Sequence, residues 1–344
     1  MASANKKWLK WGVIMVTLLA VLSAAGHWLV VATAAHLVSP PRRGLEDYHL
    51  EMLEQPAAYG IRIESHACLN GEVPCLLVTP LASAGSSERG TTIRQQLEDM
   101  GHELKPQGEV HGTLVLLHGR RGRKEDLLPV ADRFCAAGFR CLLPDLPAHG
   151  ESTRQNVHYG AGEHEGDLPR LVLDEIMSST GLPKQPAGIW GMSMGGAFTA
   201  KALSMDSKAW DCAVIVSCFD ALDEVIRDQS SARAWILGPL YAKALKQTLR
   251  KQHGLEATDV RPVSWATQSH VPVMVAHGTV DSLFPLERGR ALYEALPVED
   301  KKWVAVEGGD HDNVLVTPMP LYATMAAWYL DHMQLGAAEA TIAQ

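Results

Sequence analysis

The chain has 344 residues, 47% hydrophobic and 20% charged, with a formal net charge of -8. That length allows a sizeable core, and the balance is globular rather than disordered. The acidic charge, without any run of lysine and arginine, excludes the basic face that displaces counterions from phosphates, so no nucleic acid is expected as a partner.

At the N-terminus, Lys6, Lys7 and Lys10 precede an almost unbroken apolar stretch from Trp11 to Val38, closed by Ser39-Pro40-Pro41-Arg42-Arg43. About 20 apolar residues cross a bilayer as a helix, whereas the apolar region of a signal peptide runs to roughly 7 to 15. Length therefore favours an uncleaved membrane anchor over residues 11–38. Ala32-Thr33-Ala34 offers an A-x-A cleavage site, and cutting there gives a secreted chain instead. A buried soluble helix is the third reading, and it requires a helix apolar on every face to be enclosed. The lysines before the span orient it with its tip in the cytoplasm and the bulk of the chain outside, although Arg42 and Arg43 pull the other way. Residues 1–44 are then cytoplasmic tip, anchor and linker, and residues 45–344 the catalytic-size domain.

A compartment outside the cytoplasm permits disulfides. Cys68 and Cys75 flank Leu69-Asn70-Gly71-Glu72, a hairpin-turn sequence that sets them near each other. Cys135, Cys141, Cys212 and Cys218 lie on apolar segments and read as buried hydrophobes.

From residue 59 onward short β-rich runs alternate with helical patterns, the signature of a largely parallel sheet covered by helices. Strands are expected near 59–66, 73–79, 112–117, 139–144, 186–191, 211–217, 271–276 and 302–307, about eight in all. Helices fit near 124–137, 166–179, 194–205, 286–296 and 318–333, with Gly138 stopping the first of these. Two segments break the alternation. Residues 81–111, with Ser83, Gly85, Ser86, Ser87 and Gly90, read as a polar excursion; residues 219–266 carry helical runs where a lid would be inserted.

The run Pro186 to Trp190 leads into Gly191-Met192-Ser193-Met194-Gly195, and Gly195-Gly196-Ala197 opens the following helix. G-x-S-x-G between a strand and a helix is the pattern of a nucleophilic serine on a sharp turn. A serine hydroxyl is a poor nucleophile alone: it needs a histidine, an orienting carboxylate and oxyanion donors. The backbone N–H of Met194 is one candidate donor. The second is Arg120, in Leu117-His118-Gly119-Arg120-Arg121-Gly122 after the third strand. The side chains of Arg120 and Arg121 read either as solvated loop charges or as contacts to an anionic substrate group, and His118 as a structural residue.

Residues 271–285, VPVMVAHGTVDSLFP, form an apolar strand, a turn at His277-Gly278, and then Asp281, the candidate acid. Val304-Ala305-Val306 runs into Glu307-Gly308-Gly309-Asp310-His311-Asp312, which places His311, the candidate base, after the last strand. Asp220, Asp310 and Asp312 are rivals for the acid. A carboxylate next to His311 in sequence must fold back onto its neighbour's ring, and Asp220 begins the lid, so Asp281 in its short turn is preferred.

The chain order Ser193, Asp281, His311 is that of the α/β-hydrolases. Residues 59–333 resemble the group of esterases, lipases and related peptidases that carry H-G after the third strand, D-x-x-x-H-G-x-S after the fourth, G-x-S-x-G, H-G-x-x-D and a final histidine. Here the second motif is Asp145-Leu146-Pro147-Ala148-His149-Gly150-Glu151-Ser152. Tyr159-Gly160, Glu163 and Asp167 also follow the group's pattern, where such residues are structural.

The resemblance implies an α/β-hydrolase fold, with a mostly parallel sheet of about eight strands, a short helical lid and the N-terminal helix added. It also implies a serine hydrolase acting on a small-molecule carboxylic ester through an acyl-serine intermediate, with no cofactor. An amide or peptide is the alternative substrate, and a non-catalytic membrane-tethered binding domain the alternative of another class. His158 and His164 invite a metal-ligand reading, but no metal-binding spacing is present and no metal is expected. In the lid, Trp235, Ile236, Leu237, Leu240 and Tyr241 either line an apolar acyl pocket or pack on the sheet as core.

Overall fold

The structure is a computed structural model that describes residues 2–183, 186–234, 236–317 and 319–333. Its helices are α1 (Ala2–Val38), α2 (Asp47–Glu54), α3 (Glu88–Asp99), α4 (Leu128–Ala136), α5 (Leu168–Thr180), α6 (Met194–Met205), α7 (Leu222–Ala234), α8 (Gly238–His253), α9 (Pro262–Ala266), α10 (Leu286–Ala295) and α11 (Leu321–His332). The strands are β1 (Ile61–Cys68), β2 (Val73–Pro80), β3 (Gly112–Leu117), β4 (Phe139–Pro144), β5 (Ala187–Met192), β6 (Cys212–Val216), β7 (Val273–Gly278) and β8 (Lys301–Val306).

The strands form one sheet in the order β1-β2-β4-β3-β5-β6-β7-β8. β1 and β2 are antiparallel to their neighbours, and β4, β3, β5, β6, β7 and β8 run parallel. Parallel strands covered on both faces have no solvent side, so they read as near-continuous apolar runs. All six residues of β3, β4 and β7 are buried accordingly. Along β5 the side chains alternate: Ile189 joins the core beneath α5, α6, α9 and α10, whereas Trp190 joins the core beneath α3, α4 and α11.

All eight expected strands are present, within two residues of their expected ends. Residues 81–111 are more than a polar excursion, because they hold α3. Ser87 caps it by accepting from the Arg89 N–H at 3.4 Å, and Ile93 and Leu97, one turn apart, bury against the second core. The Ser and Gly content upstream of the cap hid a helix with only two buried apolar positions. His277 and Gly278, expected as a turn, are the last residues of β7. All six cysteines are buried free thiols, with Cys68 at the end of β1 and Cys75 on β2 beside the hairpin turn.

The N-terminal helix has two parts. Residues 11–29 stand exposed, whereas Val30, Ala34 and Val38, spaced four apart, are buried in the first core. Trp11–Val38 is long and apolar enough to cross a membrane, with mean hydropathy 2.1.

One buried carboxylate makes stability depend on pH. Asp132 of α4 is 2% exposed, with Arg89 of α3 at 3.2 Å and Arg133 at 3.6 Å. Burial outweighs both guanidinium groups and raises its carboxyl from 3.8 to about 6. The folded state therefore holds this proton more tightly than the unfolded chain. Its contribution is fully present below about pH 4 and is lost as pH rises through about 6, a change on the order of 2–3 kcal/mol. Asp132→Asn removes the titration, so thermal melts between about pH 4 and 7 should give a flatter stability profile for the variant than for the wild type. Parallel profiles would contradict this assignment.

Candidate active site

The site lies at the C-terminal ends of the parallel strands, where ligands bind in open α/β sheets. Ser193 is the single residue between β5 and α6 and has φ 55° and ψ -118°. A left-handed conformation is strained for a residue with a Cβ and persists only where its surroundings over-determine it. The Ser193 N–H donates to Val216 O of β6 at 2.9 Å, and the flanking glycines supply the rest of the constraint. A Cβ on Gly191 would lie 2.2 Å from Gly195 O, and one on Gly195 would lie 2.1 Å from Leu117 O and 2.9 Å from His118 O. The G-x-S-x-G pattern is thus a packing requirement: without side chains at both positions, β5, α6 and the loop after β3 can close on one another.

That loop is held rigidly. Leu146 N–H donates to His118 Nε2 at 3.1 Å, so Nδ1 carries the proton and donates to Gly119 O at 2.8 Å. Burial lowers the pKa of the His118 imidazole, in keeping with a neutral structural ring. Gly119 faces the serine: a Cβ there would sit 3.5 Å from Ser193 Cβ and 4.0 Å from Ser193 Oγ. The loop that carries Arg120 therefore runs beside Ser193. The Arg120 side chain turns away and donates to His36 O of α1 at 2.7 Å. Arg121 is exposed, with a left-handed backbone at φ 66°.

Ser193, His311 and Asp281 come together from three strand ends. His311 Nε2 lies 3.0 Å from Ser193 Oγ, and His311 Nδ1 lies 2.8 Å from Asp281 Oδ2. The carboxylate accepts from Nδ1–H, which leaves Nε2 free to accept from the serine hydroxyl. The other Asp281 oxygen accepts from the N–H groups of Leu283 at 2.9 Å and Phe284 at 2.8 Å, and the side chain is fully buried. The Phe284 ring stands edge-on to His311, with centroids 4.9 Å apart.

The rival acids are occupied elsewhere. Asp310 points back to Ser282, accepting from its N–H at 2.9 Å and from the His311 N–H at 2.7 Å, and these bonds hold its carboxyl below the ordinary value. Asp220 pairs with Arg288, and Asp312 is exposed at the rim.

Buried acids shape the surrounding loops. Asp145 accepts from the backbone N–H groups of Lys124 at 2.8 Å and Glu151 at 2.9 Å, and from Lys124 Nζ at 2.9 Å. A Cβ on Gly150 would fall 2.0 Å from its Oδ1, which accounts for the glycine of the H-G-x-S segment. In the next loop the organising carboxylate is Glu165, which accepts at 2.8 Å from both His158 N–H and Gly160 N–H. Glu163, expected in that place, has an 89% exposed side chain. His158 Nε2 bonds His253 O at 2.9 Å, His164 lies by Glu163, and no metal-binding cluster occurs among the described residues.

Ser193 and His311 open on a cavity of about 420 Å³ whose apolar wall includes Phe219, Leu222, Val225, Leu283 and Phe284. A second cavity of the same volume, between Glu51, Tyr59 and Arg89, contains no histidine. Ile236, Leu237 and Leu240 neither line this cavity nor pack as core, being 77%, 63% and 67% exposed. Both expectations for them fail, because it is α7 that lies over the pocket. Trp235 falls outside the described residues, and Tyr241 packs at the edge of the core and bonds Thr33 at 2.7 Å. Leu37 and Arg43 line the cavity and were not expected to. Nothing in a hydrophobic run marks its last turn as part of a site.

Known proteins share this architecture. The sequence profile of a family described as serine aminopeptidase, S33 (Hydrolase_4) matches residues 108–261, which include Ser193 and stop before Asp281 and His311. An uncharacterized 31.7 kDa protein of Escherichia coli, from the traX-finO intergenic region, is 25% identical over 277 residues, covering 66% of this chain and 94% of that one. The thiohydrolase aneE of Aspergillus aculeatus is 25% identical over 198 residues, 55% of this chain and 56% of its own. Among solved structures, an esterase of Pyrococcus furiosus superposes with a TM-score of 0.58 at 16% identity, covering 86% of this chain and 98% of that one. The fold is the α/β-hydrolase fold.

Overpacking a close-packed site costs about 1–3 kcal/mol, so Gly191→Ala and Gly195→Ala should each lower the thermal midpoint by several degrees. Gly44→Ala, at a position with open space around it, should leave the midpoint unchanged. Midpoints followed by near-UV circular dichroism check this; equal behaviour of all three variants would remove the packing explanation.

Proposed function

We propose that the protein is a membrane-anchored serine hydrolase that cleaves a carboxylic ester through an acyl-serine intermediate. The observation that carries this reading is the continuous chain from Ser193 Oγ to His311 Nε2 at 3.0 Å and from Nδ1 to Asp281 at 2.8 Å, beside a cavity. Ser193 Oγ attacks the ester carbonyl carbon while His311 Nε2 takes its proton. The charge that develops on the carbonyl oxygen is met by the N–H groups of Met194 and Arg120, and Asp281 stabilises the imidazolium and holds its tautomer. Collapse breaks the bond to the leaving alcohol, which receives the proton from Nε2. Water, deprotonated by the same nitrogen, then releases the acid and restores Ser193.

An ester is favoured over an amide by the apolar cavity wall and by the likeness to an esterase fold. The amide reading keeps one observation of its own, the match to a family described as serine aminopeptidase. Turnover against matched ester, thioester and amide panels separates these substrates. The N-terminal span and Lys6, Lys7 and Lys10 support a domain tethered outside the cytoplasm.

A fluorophosphonate probe should label the wild type, and Ser193→Ala should abolish labelling without loss of fold. Replacing the orienting acid of such a triad by its amide lowers turnover by about 10⁴, so Asp281→Asn should approach that loss while Asp220→Asn, Asp310→Asn and Asp312→Asn remain much milder. Failure of the folded wild type to react with the probe would favour the binding-domain alternative. Near-normal turnover in Asp281→Asn would reject the assignment of the acid.

A further inference from the structure

The end of α1 is built into the catalytic domain. A helix leaves its last four carbonyls without partners inside the helix, and here every one of them is satisfied. Ala35 O accepts from Ser39 N–H at 2.8 Å, His36 O from Arg120 Nη2 at 2.7 Å, Leu37 O from the Tyr159 hydroxyl at 2.7 Å and Val38 O from Val157 N–H at 2.8 Å. The Arg120 guanidinium also faces the negative end of the helix dipole. Arg120 and Tyr159 line the catalytic cavity together with Leu37 itself. The helix that leaves the domain is therefore also a wall of the site.

The exposed part of that helix, residues 11–29, is about 19 residues, or roughly 28 Å at 1.5 Å per residue, close to one hydrocarbon thickness. Beyond Leu29 the domain begins at once. α8 lies along α1 in the same direction: its first turn is fixed by the bond from Tyr241 to Thr33, and its last carbonyl accepts at 2.9 Å from His158, the neighbour of the residue that caps Val38. The α7–α8 corner thus points towards the place where α1 leaves the domain. At that corner stand Ile236, Leu237 and Leu240, three neighbouring apolar side chains that are each more than 60% exposed. Apolar side chains continuous with an apolar span of bilayer length are suited to a lipid surface.

We propose that the site takes its substrate from the bilayer: the α7–α8 corner dips into the lipid beside α1, and the substrate is a long-chain acyl ester dissolved in that membrane, bound against the Leu37 wall. This rests on the serine hydrolase reading and adds the substrate class. Apolar walls and a juxtamembrane site select an acyl chain that partitions into lipid over a short ester that stays in water.

The test uses the full-length chain reconstituted in phosphatidylcholine vesicles, with p-nitrophenyl butyrate in the aqueous phase and monooleoylglycerol in the bilayer as the two probes. The variant Ile236→Ser/Leu237→Ser/Leu240→Ser changes exposed residues outside the cavity. It should keep the wild-type rate on the aqueous ester and lose about tenfold or more on monooleoylglycerol. Equal rates for variant and wild type on both probes, a parallel loss on both, or a wild type that cleaves only the aqueous ester would each overturn the bilayer source and leave the hydrolase reading standing. A wild type that cleaves neither probe and takes no fluorophosphonate overturns the hydrolase reading, and this inference with it.

Discussion

The site depends on one backbone constraint, the left-handed turn at Ser193 between β5 and α6. A serine there points its hydroxyl beyond the C-terminal end of β5, towards His311, only while the chain on both sides closes tightly. That closure is possible because Gly191 and Gly195 bring three backbone segments within van der Waals distance. The strain is offset by the Ser193 N–H bond to β6 and by close packing around the turn. The two-glycine pattern and the placement of the Ser193 hydroxyl are thus one feature: relaxing the turn would withdraw the hydroxyl from His311 and open the gap to Gly119.

The same logic of fixed partners extends outward. Asp281 is buried, yet its carboxylate accepts three hydrogen bonds within 2.9 Å, which compensates the cost of desolvating a charge. Asp310 accomplishes at the rim what Asp281 does inside, lacing the turn after β7 to the loop after β8. Asp145 and Glu165 do the same for the two halves of the connection between β4 and α5. Four acids therefore hold the connections after β4, β7 and β8 by backbone N–H groups, and only one of the four meets the imidazole.

How much of this is legible in the sequence follows from the range of each signal. Strand positions and the residues at strand ends could be read because parallel strands are apolar throughout and end in short turns, so Ser193, Asp281 and His311 each carry a local marker. α3 is not legible in the sequence because its apolar face is only Ile93 and Leu97, too little periodicity to outweigh the Ser and Gly before it. Glu165 carries no mark in the sequence because a carboxylate in a loop has no periodic signal; the φ of 61° at His164 and the backbone contacts that select Glu165 exist only in the fold. Leu240 and its neighbours read as pocket or core because apolar residues in a lid usually face inward. Their outward position is decided by α8 lying along α1, a contact between residues more than 200 positions apart.

That long-range contact also bears on whether the N-terminal helix is kept. Cutting at Ala32-Thr33-Ala34 would remove Val30 and Ala34 from the core and Thr33 from the Tyr241 hydroxyl. It would also reduce the helix that presents the His36 and Leu37 carbonyls to a single turn. Arg120 and Tyr159 would then face carbonyls on an unsupported end, beside Ser193. A signal peptide needs only to be apolar along its length, and nothing in its task requires its far end to be sorted into buried and exposed faces. In residues 30–38 such sorting is present, with buried positions repeating every four residues on the side that meets the domain. Residues 11–29 show no such pattern and need none if lipid surrounds them. The helix thus changes character where the domain starts: its last nine residues are packed as part of the fold beside Ser193, whereas the residues before them make no such contact.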